Sequence, residues 1–213
     1  RRSWRRSKAF SGTAPLKGCP TIPGAEGALS RAPRSADVAK IPSVVLPIDA
    51  DNLSVTVSQR EVRLTNLRKP FWPALGVTKG ALIQYYVDVA PVLLPHIADR
   101  AMVMKRYPHG ADGPFFSMKR APAPRPSWIR TCAISHDSGN IIDFPVIDDI
   151  ASLMWVINLG CIDLNQWYAR CDDVDRPDYV HFDLDPGEGA TFSQVLDCAL
   201  IVREALETLM MKP

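Results

Sequence analysis

The chain has 213 residues, 46% apolar and 23% charged, which suits a soluble domain with a sizeable core. No stretch approaches the roughly 20 apolar residues of a membrane span, and no apolar segment follows the Arg-rich start as a secretory leader requires. Five cysteines, an odd number without C-x-x-C spacing, argue against a disulfide framework or zinc ribbon and fit reduced thiols in a cytoplasm.

A net charge of +2 conceals two basic blocks and one acidic one. Residues 1–40 carry nine Lys/Arg against two acids, a net +7. Residues 60–130 carry twelve against four, a net +8, and residues 131–213 carry four against fifteen, a net −11. A basic face attracts polyanions by counterion release, and a carboxylate-rich region beside it can hold divalent cations.

Residues 1–58 are rich in Arg, Pro, Ser, Gly and Ala without helical or strand periodicity, and read as a disordered or linker segment. Regular patterning over 59–213 marks the domain. Thr78 is placed to cap a helix to about Ile97, with Leu82, Ile83, Tyr86, Ala90, Leu93 and Leu94 on one stripe. Pro91 and Pro95 should kink or end it. Ala101–Arg106 reads as a strand, followed by turns near Pro108-His109-Gly110 and Asp112-Gly113-Pro114. Asp148 is expected to cap a second helix, with Ile150, Leu153, Met154 and Ile157 inward, Trp155 off the stripe and Gly160 at the stop. Cys161–Leu164 and Tyr179–Asp185 read as strands. Thr191 and Gln194 have capping-box spacing for a third helix to about Met210. The alternation defines an α/β (α+β) domain.

The most informative segment is DYVHFDLDPGEG, residues 178–189. In a strand, His181, Asp183 and Asp185 would share one face, ended by Pro186-Gly187. Two carboxylates at that spacing repel unless a cation lies between them, and Mg²⁺ or Mn²⁺ held there could activate an attacking hydroxyl. The spacing also occurs in solvated turns, sugar-nucleotide transferases and phosphohydrolases. A haloacid-dehalogenase-type nucleophile would prefer Thr or Val where Gly187 stands.

The stretches LTNLRKPFWPALGVTKGALIQYY, MKRYPHGADGPFF, WVINLGCIDLNQW and HFDLDPGEGATF occur in the order and spacing of one family. From about Val62 onward the chain resembles the polymerase domain of bacterial ligase D, the primase-polymerase-like enzyme of non-homologous end joining. The resemblance implies a mixed sheet with flanking helices and a template-directed nucleotidyltransferase. It would add an NTP or dNTP at DNA ends bearing a 5′-phosphate, in the bacterial cytoplasm at the nucleoid, with Ku and a ligase module as partners. It implies Asp183 and Asp185 as catalytic ligands of two Mn²⁺ or Mg²⁺ ions. Lys69 and Lys79 would hold the 5′-phosphate, Lys79 aided by backbone N–H groups at a helix N-terminus. Lys105, Arg106, Phe115 and Phe116 would contact the template, with one phenylalanine buried. Asn165 would lie near the nucleotide, although most relatives carry His there, and His181 would either reach the nucleotide or simply pack. The family's second motif and third carboxylate would lie beyond Pro213, so the expectation is the first part of a catalytic core: a fragment, a truncated frame or a degenerate protein. The other readings are a non-catalytic module that binds 5′-phosphorylated ends and a metal-dependent phosphohydrolase built on Asp183.

Overall fold

The computed structural model describes residues 44–135 and 139–211. The expectation for 1–43 lies outside these residues. Within them, nine strands and three helices follow one another as β1 (Leu53–Val57), β2 (Arg60–Leu64), β3 (Pro70–Trp72), β4 (Val77–Thr78), α1 (Lys79–Ile97), β5 (Met102–Arg106), β6 (Phe116–Met118), β7 (Thr131–Ser135), β8 (Ile141–Pro145), α2 (Ile150–Asn158), β9 (Cys161–Gln166) and α3 (Phe192–Thr208). The strands form small antiparallel sheets, the largest being three-stranded in the order β6-β5-β9. No helix among the described residues is long and apolar enough to cross a membrane.

The boundary expected at 58/59 falls inside a hairpin. β1 pairs with β2 from Leu53↔Leu64 to Val57↔Arg60. Alternation buries Val57, Val62 and Leu64 on one face, so 53–57 belongs to the folded unit. Its two-residue turn places Ser58 and Gln59 at φ 49° and 64°, the conformation hairpin twist favours, but without the usual Asn-Gly signal.

α1 begins as the sequence indicates, with Thr78 accepting from the Ala81 N–H. Pro91 and Pro95 lie inside the helix and do not end it. Both face solvent, where water can satisfy the carbonyls their rings leave without a donor. The opposite face, through Leu82, Ile83, Val87, Ala90 and Ile97, is buried.

α2 is capped one residue later than expected. Asp149, not Asp148, forms the capping box with Ser152. Asp148 instead accepts from the Asp99 N–H and pairs with Arg130. The helix is buried on every side from Ile150 to Ile157, Trp155 included, so it is the central post of the core rather than an amphipathic cover. Leu153 has no exposed surface, and Leu153→Ala should therefore cost about 2–5 kcal/mol. A lowered urea midpoint at unchanged m-value checks this. Gly160 follows α2 at φ 85°, and a Cβ there would stand 3.1 Å from the Tyr107 carbonyl oxygen. That close approach lets the Tyr107 N–H donate to the Gly160 carbonyl at 2.8 Å, locking the end of α2 beside the end of β5.

The expected strand over Tyr179–Asp185 is absent. After the bridge Ala169↔Pro177 and the bond from the Asp178 N–H to the Tyr168 carbonyl, the backbone runs without ladder pairing. A strand exists only through its neighbours, and no described strand lies alongside this segment. α3 has the expected Thr191–Gln194 capping box, and none of its residues is buried.

Candidate functional site

Three cations from three separate segments meet at one open pocket of about 230 Å³. Lys69 precedes β3, Lys79 opens α1, and Arg106 closes β5. Asn66, Tyr107, Asn158 and Gly160 complete much of the wall. Lys79 is almost wholly buried, and its Nζ donates to the Thr65 carbonyl at 2.6 Å. Burial, then Lys69 and Arg106, pull its pKa down to about 8. The Lys69 ammonium donates to the Pro108 carbonyl. Arg106 Nε donates to the Leu159 carbonyl at 2.6 Å, at the C-terminal end of α2, where the helix dipole favours a cation. Each cation thus keeps donors for an incoming anion.

The helix N-terminus does not contribute as expected. The Lys79 N–H donates to the Lys69 carbonyl and the Gly80 N–H to the Leu67 carbonyl, both at 2.8 Å. The Ala81 N–H is taken by the Thr78 hydroxyl. These amides are occupied, so an anion would meet side-chain charge rather than backbone donors.

The structure separates the basic pair Lys105-Arg106, because neighbours on a strand point to opposite faces. Lys105 leans over Phe115, its Nζ 4.0 Å from the ring centroid, and pairs with Asp163 at 3.3 Å. The Tyr107 hydroxyl also donates to Asp163, at 2.8 Å. Arg106 lies opposite Phe116 in the β5–β6 ladder, its guanidinium 5.8 Å from that ring. Phe115 and Phe116 are 54% and 46% exposed. Neither is buried, contrary to the expectation for one of them: Tyr107 and Lys105 lie against Phe115 and Arg106 against Phe116, and neither ring belongs to the buried core clusters. Two half-exposed rings flanked by two cations make a surface on which bases can stack.

Asp183 and Asp185 are exposed and line one shallow depression of about 290 Å³, closed on its other side by Gln194, Val195 and Cys198 of α3. They share this depression without sharing a strand face. No described residue engages either carboxylate, and among the described residues no three metal-ligating side chains gather into a complete cage. Two unpaired carboxylates still fit a hard cation such as Mg²⁺, which often takes one or two protein carboxylates and completes its shell with water and phosphate oxygens. Asn165 faces Val103 across the β5–β9 ladder and is exposed. His181 stacks on Tyr168, with ring centroids 6.2 Å apart.

One feature of this region leaves no trace in the linear sequence. Arg100, at the mouth of β5, is buried and donates from Nη1 and Nη2 to the two oxygens of Asp178, each at 2.7 Å. The Arg100 guanidinium, assisted by Arg170, holds the Asp178 carboxyl below the usual range.

An α/β domain with a cationic pocket, adjacent exposed aromatics and a separate pair of free carboxylates offers groups of both signs, the cations suited to phosphate oxygens and the carboxylates to a divalent ion. Comparison with known proteins defines it further. Residues 78–213 match the family model described as LigD, primase-polymerase domain. The chain is 37% identical over 150 residues to the multifunctional non-homologous end joining protein LigD of Mycolicibacterium smegmatis, covering 70% of this chain and 20% of that protein. It is 34% identical over 159 residues to the LigD protein of Mycobacterium tuberculosis, covering 71% and 21%. Among solved structures, it matches the polymerase domain from Mycobacterium tuberculosis ligase D in complex with DNA, with a TM-score of 0.61 and 32% identity, over 70% of this chain and 54% of that one. The chain belongs to the LigD primase-polymerase domain family. It spans about a fifth of the length of these curated relatives.

Proposed function

We propose that this chain forms the end-recognition face of an end-joining nucleotidyltransferase and carries two of its metal-binding carboxylates. The recessed 5′-phosphate of a DNA end would sit between Lys69, Lys79 and Arg106. Template bases beside the gap would lie on Phe115 and Phe116. The observation that carries this reading is the convergence of three cations on one open pocket, linked through Arg106 to an exposed aromatic pair. The solved relative is a polymerase domain in complex with DNA, which supports DNA as the ligand.

The chemistry would be attack of a primer 3′-hydroxyl on the α-phosphorus of an NTP or dNTP, releasing pyrophosphate. Asp183 and Asp185 would hold Mn²⁺ or Mg²⁺, which when bound acidifies the hydroxyl and neutralises charge on the phosphates. The protein's own part is positioning: the cationic pocket fixes the far side of the gap, and the aromatic pair sets the height of the template.

The lowered pKa of Lys79 makes the phosphate reading testable. A phosphate monoester is already dianionic at pH 7, its second pKa being about 6. Lys79 in the free protein loses its proton as pH rises through about 8, so the cationic form that binds phosphate is progressively withdrawn above that pH. From pH 7 to 9, the preference for 5′-phosphorylated over 5′-hydroxyl ends should shrink by up to about tenfold. Lys79→Arg, whose charge persists in this range, should keep the preference at pH 9. Fluorescence anisotropy with the two duplex types measures both. Equal binding of the two end types at pH 7 would overturn the reading.

A further inference from the structure

The segment that carries Asp183 and Asp185 is tied to the rest of the described structure at one place. Asp178 accepts two bonds from Arg100 and a third from Arg170 at 3.2 Å, and its N–H donates to the Tyr168 carbonyl. Tyr179 lies under the Arg100 guanidinium, 4.7 Å from ring centroid to the cation, and its hydroxyl accepts from Gln166 at 2.8 Å. His181 rests on Tyr168. Among the described residues beyond His181, the hydrogen bonds and ion pairs shown are local to the 187–211 stretch. The two carboxylates therefore hang a few residues beyond a clamp whose fixed part is Arg100.

Arg100 suits that role. Its side chain is only 5% exposed, whereas that of Asp178 is 40% exposed. The paired geometry fixes direction as well as distance, because a planar guanidinium meets a carboxylate through two parallel bonds. Its Nε is buried without a partner, so the Asp178 contact, the Tyr179 ring and the weaker 3.4 Å bond to the Trp167 carbonyl are what compensate its charge. The clamp is thus expensive to leave unmade, which makes it hold the following segment in one place.

We propose that Arg100, through its paired hydrogen bonds to Asp178, is the positioning residue that sets the Asp183–Asp185 segment for its metal ion. This rests on the metal reading given above. A positioning role and a simple charge effect predict opposite signs. Removing a cation near the site would by field alone tighten Mn²⁺ binding, whereas releasing the segment would weaken it.

The test is Mn²⁺ titration of the whole chain, with free ion followed by electron paramagnetic resonance and fold followed by circular dichroism. Arg100→Gln should weaken Mn²⁺ binding by about tenfold, the scale on which groups supporting a metal's ligands act. Amide exchange over 179–187 should quicken in the same variant without any metal present. Asp178→Glu, which conserves charge but displaces the fork, should also weaken Mn²⁺ binding. Unchanged or tighter Mn²⁺ binding by folded Arg100→Gln would overturn the inference. If that variant does not fold, Asp178→Glu decides, and unchanged binding there overturns it equally. Asp183→Asn separates the two claims: if it leaves Mn²⁺ binding intact, the metal reading itself has failed, while faster amide exchange in Arg100→Gln would still report the clamp.

Discussion

Changing Lys69 to Ala and Lys79 to Met together should abolish the preference for a 5′-phosphorylated end. The two ammonium groups line the same pocket and are held by carbonyl oxygens, Pro108 for Lys69 and Thr65 for Lys79. A neutral acceptor leaves each ammonium with further protons to donate. A hydrogen bond to a charged partner is worth about 1.5–3 kcal/mol. Losing two should therefore lower affinity for the phosphorylated end by roughly 10²-fold or more. The salt dependence should flatten by up to about two units. Met is chosen at position 79 because the lysine stem is buried, and an alanine would add a cavity to the lost charge. Binding of the 5′-hydroxyl end should change far less, since Arg106, Lys105 and the two phenylalanines remain. Retained discrimination between the ends in the double variant would place the phosphate site elsewhere.

The second large effect concerns the acidic depression. Asp183→Asn and Asp185→Asn keep side-chain shape while removing charge, and neither carboxylate takes part in a described hydrogen bond or ion pair whose loss would disturb the fold. Ligand charge tunes divalent-ion affinity over several orders of magnitude. Each change should weaken Mn²⁺ binding by roughly 10–100-fold, and the two together should remove it at millimolar ion. The phosphate pocket is built from other elements, so affinity for a phosphorylated end without metal should stay the same in these variants. Water-proton relaxation for the ion and anisotropy for the DNA separate the two readouts. An unchanged Mn²⁺ titration in the double variant would remove these residues from the metal site.

The two halves of the candidate site differ in how they were legible. The acidic half is contiguous, and its residue types within one short segment single out Asp183 and Asp185 as candidates, with the family resemblance choosing among the roles that spacing allows. Their geometry was not. The alternation HFDLD reads as a strand, but a strand needs a partner, and none of the described strands pairs with this segment. The basic half was marked by resemblance, and the structure rearranged its parts. Lys105 and Arg106 are adjacent in sequence yet serve different neighbours, Phe115 and Asp163 for one, the cationic pocket for the other.

Local chemistry determined the helices from the sequence alone. Thr78, Thr191 with Gln194, and Gly160 mark helix ends because capping and positive φ act through neighbours within a few residues. The polarity of the chain was equally readable, since charge adds along the sequence without reference to fold. Only the tertiary structure decided the rest. Asp149 displaced Asp148 as the α2 cap because Asp148 was taken by Arg130 and the Asp99 N–H. The β1–β2 hairpin has no sequence signature because Ser58 and Gln59 make its turn without the residues that usually signal one. The amides of α1 were withdrawn from any anion by the Lys69 and Leu67 carbonyls and the Thr78 hydroxyl. The pairing of Arg100 with Asp178 joins residues 78 positions apart. Contacts at such separations depend on which elements the core brings together, and no periodicity or spacing in a single chain encodes that.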